Sequence, residues 1–486
     1  MDGRSHLHRI LKPVHVGALA LGCVIGFGCF VLPGDFLRTA GPLGAALGVS
    51  LGGLAMLVIA RSYGTMVRVL PVAGAEFAYA NLVCGRRHAF VCGWLLALGY
   101  LSIVPLNATA LGVLAAFVAP DVFLQGFLYS VAGFDVFIGP VLLASLAIVV
   151  VGVFHYRGVR GVGSLQVGLT SVLVGGVVLL GISTGFSPEA SPANWAPAFA
   201  PDRSAISGML AVLAFSPFLY VGFDTLPQAA EEFDFSPRLG RSLMTWSILA
   251  GVAMYVVLIL VTSAVIPWTR LVSDSPEWAT GTAVSAGLGS VGLTVLSLTV
   301  VTAVATGING FYMATSRLMF SMGRAKLLPA WFARIHPTHG TPVNAIVFIG
   351  AASLVAPWFG REVLLWVVDM SSVGTAVGYG YTCIAAYAIA RGFKTEGRTV
   401  ETTAGDRVIA AAGVVVSAVF ILLLTVPGMP AFMAVPSWVA LGVWAGLGVV
   451  FYLVRARDYE SSSVPHVVTG IGDDRADRAP SVDHDS

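Results

Sequence analysis

Apolar stretches of about 20 residues recur along the chain, and they constrain its fold more than any other feature. Hydrophobic residues occupy 57% of the 486 positions, and charged residues occupy only 11%. Soluble domains carry roughly 25% charged residues, so this chain has too few charges to cover a water-facing surface. Because only helices and closed barrels satisfy the backbone within lipid, stretches of helical length predict an all-α membrane protein.

Twelve of these stretches are long enough to cross a bilayer, at about 20 residues each. We number them spans one to twelve, and we expect span nine to be short and span eight to continue beyond the bilayer. The polar tail at 457–486 is predicted to be disordered and solvated. The spans lie near 14–38, 42–67, 88–118, 138–155, 163–185, 206–230, 243–266, 286–316, 343–358, 364–390, 408–426 and 431–453.

The distribution of Lys and Arg supports this count and predicts its orientation. If residues 1–13 are cytoplasmic and every span crosses once, 23 of the 27 Lys and Arg residues fall on the cytoplasmic side. A wrong span count would reverse the sides partway along the chain and mix the charges. We therefore expect a multi-pass protein of the cell (inner or plasma) membrane with both termini in the cytoplasm. The outward-facing exceptions are Arg38, Arg203, Arg270 and Arg361.

No pattern typical of an enzyme, a metal site or a cofactor site occurs in the sequence. A Walker-type glycine-rich loop, CxxC pairs and Cys/His metal spacing are all absent, so we expect no enzyme activity, no cofactor and no metal. The five cysteines fall in or beside apolar runs and are interpreted as packing residues. The net charge of +2 indicates no nucleic-acid partner. The first apolar run continues past Cys23 to Leu37, so we expect no signal-peptide cleavage.

Span one contains a glycine break, Gly26-Phe27-Gly28. Each glycine weakens a helix by up to about 1 kcal/mol relative to alanine, and unwound backbone at membrane depth is tolerated only where it lines a cavity. Such a break exposes N–H groups that can hold a carboxylate and C=O groups that can hold an ammonium, so a zwitterion is the natural ligand. Taken alone, the two glycines are explained equally well by close helix packing.

Span six contains a second interruption, at Pro217 and Gly222. Pro217 removes a backbone donor from the helix. The two breaks lie five spans apart, and this odd offset inverts the topology between two halves of the chain. The arrangement indicates inverted repeats with a binding site between them. Two parallel six-span halves would instead require a glycine pair in span seven, and Met244–Ile266 has none.

Three sets of short motifs follow one another along residues 14–392. The first set is Gly26-Phe27-Gly28, Pro33-Gly34, Ala40-Gly41-Pro42 and Pro71-Val72-Ala73-Gly74-Ala75-Glu76-Phe77-Ala78-Tyr79. The second set is Gly222-Phe223-Asp224-Thr225, Ala230-Glu231-Glu232 and Pro237-Arg238. The third set is Ser316-Arg317, Gly323-Arg324, Leu328-Pro329 and Thr341-Pro342-Val343-Asn344. In order and spacing, these motifs resemble the amino acid–polyamine–organocation (APC) superfamily of permeases.

The resemblance implies a LeuT-type fold of two inverted five-helix repeats followed by two further helices. It divides the chain into a cytoplasmic N-terminus at 1–13, repeats at 14–186 and 206–390, and helices eleven and twelve within 408–453. It also implies alternating access around a site near the middle of the membrane. The lysine that some proton-coupled members carry in span five has no counterpart in Val167–Leu180.

Carried over by position, the resemblance also implies a binding site at the two breaks. The N–H groups of Phe27 and Gly28 would receive a carboxylate. The carbonyl groups of Val24, Phe218 and Val221 would receive an amine. Phe218 also occupies the position of an aromatic gate in some members, and the side chain of Cys23 would line the pocket floor. The predicted substrate-binding residues are Cys23, Val24, Gly26, Phe27, Gly28, Asn107, Phe218, Val221, Gly222, Asp224 and Asn309.

Polar residues within the predicted spans are candidates for binding or coupling because they are costly in lipid. Asp224 is interpreted as a proton-coupling group or a partner for a substrate amine, as a helix N-cap, or as both. Asn107 and Asn309 either reach the site or form interhelical hydrogen bonds. Asp369 is expected to cap a helix or pair with a neighbour.

The acidic pair Glu231-Glu232 lies near the predicted cytoplasmic end of span six. We expect it to pair with Arg238, with Arg241 or with the basic stretch after span eight. A gating salt bridge is the alternative interpretation.

Together these features predict a secondary active transporter that moves amino acids or related amines across the membrane. Its expected partners are the small-molecule substrate, membrane lipid, and either protons or a counter-substrate. Because Asp224 is the only candidate charge near the pocket, a neutral amino acid or a monoamine is favoured over an acidic substrate. The alternatives are a carrier of another small organic solute and a membrane sensor or receptor for amino acids or amines. A sensor needs a cytoplasmic output domain, and none is visible in the sequence.

Overall fold

The computed structural model of the protein describes residues 11–131, 134–158, 162–274, 278–360, 362–393 and 401–460. Most of the predicted cytoplasmic N-terminus and of the predicted disordered tail lies outside the described residues. Within them, ten helices are long and apolar enough to cross a membrane. The prediction of an all-α polytopic membrane protein is therefore confirmed.

The described part of the chain forms α-helices joined by short 3-10 segments and one β-hairpin. Its first helices are α1 Pro13–Ile25, α2 Gly28–Val31, α3 Pro33–Val69, α4 Ala75–Cys84, α5 Arg86–Val118, α6 Pro120–Phe123, α7 Ile138–Arg157 and α8 Val162–Gly185. Then follow α9 Ala205–Ala214, α10 Ser216–Leu219, α11 Thr225–Gln228, α12 Pro237–Ala264, α13 Trp268–Ser273, α14 Ala279–Arg324, α15 Val343–Ser353, α16 Glu362–Ala390, α17 Ala404–Thr425 and α18 Val435–Glu460. The 3-10 segments are Pro192–Trp195, Ala230–Glu232, Ala330–Ala333 and Ala356–Phe359. The hairpin pairs β1 Phe127–Val131 with β2 Phe134–Phe137 in antiparallel register.

Ten of the twelve predicted spans correspond to the ten long helices. The two exceptions are span six, which is divided into α9, α10 and α11, and span nine, in which α15 is followed by a 3-10 segment. Both contain prolines or glycines that interrupt the ladder of backbone hydrogen bonds. The twelve-helix layout therefore stays a prediction.

The junction of spans one and two differs from its predicted boundaries. The segment α3 begins at Pro33 and continues through the predicted gap near residues 39–41. It bends at Gly41, whose φ of 72° is open to glycine but rare for other residues. A Cβ there would lie 2.7 Å from the Phe199 backbone, so the loop before α9 rests directly on the bend.

Helices from the two halves of the chain pack against each other around the broken spans. α3 lies along α12, and α5 lies along α14. Exposed aliphatic side chains such as Leu142, Leu179, Val415 and Val439 cover the outward faces of α7, α8, α17 and α18. Lipid would contact these faces. The fully buried tyrosines of the interior are Tyr63, Tyr79, Tyr100, Tyr220, Tyr255, Tyr312 and Tyr379.

Candidate functional site

The first helix break lies where the sequence places it. α1 ends at Gly26, whose N–H still donates to the carbonyl of Gly22 at 3.1 Å. Gly26 then takes a φ of 45°, and the helix restarts as α2 at Gly28. Because a positive φ strains residues that have a Cβ, the glycine permits this turn at little cost.

The break leaves backbone groups without partners in the interior. Within the part of the chain that the structure describes, the N–H groups of Phe27 and Gly28 donate to no carbonyl, and the carbonyl of Val24 accepts no hydrogen bond. All three residues are buried. Unpaired buried backbone groups are rare in folded proteins, because each costs free energy comparable to a lost hydrogen bond.

The second break occupies residues 220–224, between α10 and α11. The N–H of Gly222 donates to Oδ1 of Asp224 at 2.7 Å, and its carbonyl accepts from the Thr225 hydroxyl at 2.6 Å. As a result, the carbonyl groups of Phe218 and Val221 accept no backbone hydrogen bond among the described residues. Gly222 itself has a φ of 131°.

The two breaks are in direct contact through Gly222. A Cβ on this residue would lie 2.6 Å from both Cβ of Cys23 and the backbone nitrogen of Val24. Real Cβ atoms do not approach other atoms so closely, so only glycine fits between the two unwound segments. The five-span offset in the sequence therefore corresponds to a crossing of the two breaks in space.

A small cavity of about 20 Å³ opens beside this crossing. Its walls come from α1, α2, α5, α10, α12 and α14, together with the two breaks. None of its lining side chains is charged. The cavity is lined by Cys23, Val24, Ile25, Gly26, Phe27, Gly28, Ile103, Asn107, Phe218, Val221, Tyr255 and Phe311.

A family model for amino acid permeases matches residues 15–460 of this sequence. The chain belongs to the amino acid permease family. The resemblance to the APC superfamily is thereby confirmed, and membership in a family of permeases points away from an enzyme.

Three relatives illustrate the range of the family. The permease is 29% identical to the vacuolar cationic amino acid transporter 4 of Arabidopsis thaliana over 78% of its own length and 62% of the relative, less than two thirds of that protein. It is 30% identical to the methylthioribose transporter of Bacillus subtilis (strain 168), over 76% of this chain and 78% of the relative. It is 27% identical to the lysine-specific permease LysP of Escherichia coli (strain K12), over 81% of each chain.

Eight of the eleven residues predicted for the site line the cavity of the permease. The other three are Gly222, Asp224 and Asn309. Gly222 and Asp224 lie in the second break and stabilise its conformation, and neither residue lines the cavity. Whether any of the eleven residues binds a substrate stays a prediction.

Asp224 does not cap α11 as an N-cap side chain would. Its carboxylate accepts from Gly222, two residues earlier in the chain, and makes no cap bond to the helix that follows. Asp224 occupies the N-cap position of α11, but the side-chain cap bond that the N-cap interpretation requires is not formed. A local bond across the break is favoured here because it satisfies an N–H group that the unwinding sets free.

Asn309 points away from the cavity. Its side chain donates to Oε1 of Gln166 at 2.8 Å, and its carbonyl lies 3.0 Å from Nε2 of His155. Phe311, two residues later on α14, lines the cavity instead. Residues two apart on a helix are separated by about 200° of rotation, so only one of the two can face the site. Asn309 therefore fits the interhelical alternative.

Of the two roles that the sequence left open for Asn107, its position fits the one at the cavity, because its side-chain hydrogen bond is not interhelical. Its Nδ2 donates to the carbonyl of Ile103 at 2.9 Å on the same helix, and the residue lines the cavity. Its Oδ1 is buried and has no hydrogen-bond partner among the described residues. An unsatisfied buried acceptor at a cavity wall is available to a ligand that carries an N–H or O–H group.

Sequence reasoning missed the cavity residues Ile25, Ile103, Tyr255 and Phe311. Three of them are apolar residues in apolar spans, so no local signal distinguishes them from core. Tyr255 carried the one available signal, a tyrosine within an otherwise apolar run of span seven. Its hydroxyl lies 3.4 Å from the position that a Cβ on Gly28 would take, so it packs against the first break.

The position without a lysine in span five is occupied by uncharged polar contacts. Thr170 on α8 donates to the carbonyl of Ala18 on α1 at 3.0 Å, and Gln166 approaches the same carbonyl. Close to these two side chains, the Thr306 hydroxyl of α14 donates to the carbonyl of Gly22 at 3.2 Å. Neutral hydrogen bonds therefore join α1 to both α8 and α14.

The acidic pair after α11 forms two ion pairs with the end of α14. Glu231 accepts from Arg324 at 2.7 Å, and Glu232 accepts from Arg317 at 2.9 Å. Glu231 also accepts from the backbone N–H of Ala73 at 3.0 Å. The broken span is thus tied both to α14 and to the segment that precedes α4. Of the predicted partners, the structure places the basic end of span eight here.

Asp369 pairs with a neighbouring helix, as expected. Its Oδ2 accepts from the Ser437 hydroxyl of α18 at 2.7 Å. This contact joins α16 to α18 at a distance from the cavity lining, so it has the character of a structural hydrogen bond.

Proposed function

We propose that this protein is a secondary active transporter that moves amino acids or related amines by alternating access, with the substrate held at the two helix breaks. The observation that carries the proposal is the set of unpaired backbone groups around one cavity. The N–H groups of Phe27 and Gly28 and the carbonyls of Val24, Phe218 and Val221 all belong to cavity-lining residues. Family membership supports transport of amino acids. The unpaired backbone groups support the position of the substrate at the two helix breaks.

The chemistry of these groups matches an α-amino acid. Free N–H groups at the start of a half-helix stabilise a carboxylate, and free carbonyls at a half-helix end stabilise an ammonium. Both kinds of group are buried, so a zwitterion would satisfy donors and acceptors that the protein leaves unpaired. An apolar solute would leave them all unsatisfied.

The side chains of the cavity favour a small neutral substrate. No charged residue lines the cavity, and Asn107, Cys23 and Tyr255 supply its polar side-chain atoms. A cationic side chain on the substrate would find no carboxylate partner there, although two relatives are named for cationic amino acids or lysine. A neutral amino acid or a monoamine is therefore the proposed substrate class.

The contacts at the two ends of the site support an occluded arrangement. On the predicted outer side, Nε1 of Trp278 donates to the carbonyl of Phe30 at 2.8 Å. On the predicted cytoplasmic side, the ion pairs of Glu231 and Glu232 join the second break to α14. Alternating access requires that each closure open in turn, in a LeuT-type arrangement of twelve helices with both termini in the cytoplasm.

A second candidate is a carrier of another small organic solute. The named methylthioribose transporter is 30% identical to this chain, and its name does not describe an amino acid. A sugar-derived solute without a carboxylate would leave the N–H groups of the first break unpaired. The proposal therefore ranks this candidate below an amino acid.

The test is uptake by the purified full chain in liposomes. A panel of labelled neutral, cationic and acidic amino acids, monoamines and methylthioribose is offered with and without an imposed pH gradient, and protein-free liposomes serve as the control. We expect accumulation of a neutral amino acid or monoamine. Flux of methylthioribose alone would replace the proposal by the second candidate, and no flux from folded protein would reject transport of all these classes.

Asn107→Leu is expected to weaken substrate binding while leaving the fold intact. Leucine has a similar volume but lacks the buried Oδ1 that has no partner in the protein. Losing one buried hydrogen bond costs about 1–3 kcal/mol, so KM for the transported amino acid should rise about 5- to 150-fold. Thr109→Val is the matched control, because this hydroxyl bonds to the Pro105 carbonyl on the same helix and lies outside the cavity lining. Equal KM values for the two variants would contradict a role for Asn107.

A further inference from the structure

A fully buried carboxylate, Glu76, lies on α4 outside the cavity lining. Its Oε1 accepts from the Tyr63 hydroxyl at 2.8 Å and from the Tyr100 hydroxyl at 3.2 Å. Its Oε2 accepts from Nε2 of Gln228, the last residue of α11. Three different segments of the fold therefore converge on one acid that plays no part in the site described above.

Asp224 is a second buried carboxylate beside the first. The Tyr100 hydroxyl lies near both acids, and the Tyr379 hydroxyl lies near Asp224. Among the described residues, neither Glu76 nor Asp224 forms an ion pair with a cation. Two adjacent negative charges without a counter-charge are very costly in a buried site, so the pair favours a state in which one acid carries a proton.

The groups that face this pair from neighbouring elements are neutral side chains. The nearest arginines of α14, Arg317 and Arg324, are already paired with Glu232 and Glu231. No neighbouring group therefore supplies a positive charge within the described structure. The titratable groups in electrostatic contact with either acid are Tyr63, Tyr79, Tyr100, Tyr379, Cys23 and Cys92.

Gln228 is a partner that suits both protonation states of Glu76. As placed, its amide nitrogen donates to Oε2 of Glu76, as an ionised carboxylate requires. Its own Oε1 is buried and has no partner among the described residues. If Glu76 gains a proton, a half-turn of the Gln228 amide presents that Oε1 to the new O–H group. The unpaired oxygen is thus explained as the acceptor for the protonated state.

Glu76 is also connected to the predicted cytoplasmic closure. Three residues before it, the N–H of Ala73 donates to Glu231 and the carbonyl of Ala73 accepts from Ser321 of α14. Gln228, which bonds to Glu76, lies three residues before Glu231 in the chain. A change in the Glu76–Gln228 bond therefore acts between the second break and the ion pairs that close the site.

We propose that Glu76 is a proton-binding residue of this carrier and that Gln228 transmits its protonation state to the broken span six. The proposal rests on the proposed function and extends it, because it names the coupling ion and places its binding group outside the substrate cavity. A proton that reaches Glu76 from one side of the membrane leaves to the other side after the site reorients. Asp224 acts as the neighbouring charge that disfavours loss of this proton.

Glu76→Gln tests the proposal with a variant that the structure can accommodate. The introduced amide oxygen accepts from Tyr63 and Tyr100 as before, and its nitrogen donates to Oε1 of Gln228 after that amide turns. The variant therefore mimics the protonated state and removes the titration. Asp369→Asn is the matched control, since this acid bonds to Ser437 of α18 and is remote from Gln228.

The first measurement is infrared spectroscopy of the full-length protein in liposomes across a pH titration. It needs no substrate, so it separates this proposal from the proposed function. We expect a protonated-carboxyl band that titrates in the wild-type protein and in Asp369→Asn and is missing in Glu76→Gln. The same titrating band in Glu76→Gln would overturn the proposal, even if the protein transports amino acids.

The second measurement is transport of the labelled amino acid that the wild-type protein accumulates in the liposome screen. Accumulation driven by a pH gradient should fall about tenfold or more in Glu76→Gln, while exchange against preloaded amino acid stays within about twofold. Gradient-driven accumulation equal to wild type in a folded variant would also overturn the proposal. If the wild-type protein transports nothing while the infrared band behaves as expected, proton binding stands and the transport function fails.

Discussion

Gly222→Ala should abolish transport and lower the melting temperature of the purified protein. The introduced Cβ would lie 2.6 Å from Cβ of Cys23 and from the nitrogen of Val24, and the backbone φ of 131° is unfavourable for alanine. Overpacking costs about 1–3 kcal/mol, and strained backbone adds about 1–3 kcal/mol. The two breaks must then separate, which removes the arrangement of backbone groups around the cavity.

The control for this experiment is Gly168→Ala on α8, where an added Cβ meets nothing within 4 Å. Initial uptake rate in liposomes and melting temperature in detergent are measured for both variants. Gly168→Ala should match the wild-type protein in both measurements. If Gly222→Ala retained wild-type uptake and melting temperature, the contact between the breaks would not be needed for transport.

Arg317→Met should destabilise the closure at the predicted cytoplasmic side. The Arg317 side chain is 12% exposed and that of Glu232 is 8% exposed, so the substitution leaves a nearly buried carboxylate without its cation. Removing one partner of a buried pair costs about 3–5 kcal/mol, because the remaining charge stays desolvated. The carbonyl of Glu232 also accepts a hydrogen bond from the N–H of Leu11 at 3.0 Å. The segment that begins at Leu11 should therefore loosen when the ion pair is lost.

Limited proteolysis near Leu11 and melting temperature measure this effect. Arg270→Met is the matched control, because Arg270 pairs with Asp274 on the surface, with side chains 75% and 64% exposed, and such pairs contribute little. The exchange Glu232→Arg with Arg317→Glu should restore part of the loss, since it keeps opposite charges together. Equal melting temperatures for Arg317→Met and Arg270→Met would show that the ion pair does not close the site.

The two experiments probe different kinds of contact. Gly222→Ala tests the close packing of the two unwound segments, where one added methyl group prevents them from touching. Arg317→Met tests an ion pair at the end of α14, where removing the arginine leaves the Glu232 carboxylate nearly buried and without a cation. The proposed transport by alternating access needs both, since the breaks form the proposed site and the ion pairs form its proposed closure.

Local features of the chain determined the membrane class and the positions of the breaks. Long apolar runs with few charges leave lipid as the only environment for most of the surface. Gly26 and Gly28 interrupt span one, and Pro217 and Gly222 interrupt span six, because each of these residues weakens the helix at its own position. These effects act within a few residues, so the sequence reveals them directly.

Only the tertiary structure decided which side chains meet across the fold. Asn309 bonds to Gln166 and Phe311 faces the cavity, because packing against distant helices sets the rotation of α14 about its axis. Asp224 bonded within its own break instead of capping α11. Glu76 belongs to a sequence motif, but only the fold buries it against Tyr63, Tyr100 and Gln228, which come from three separate segments. Such contacts depend on residues far apart in the chain, and no local pattern specifies their partners.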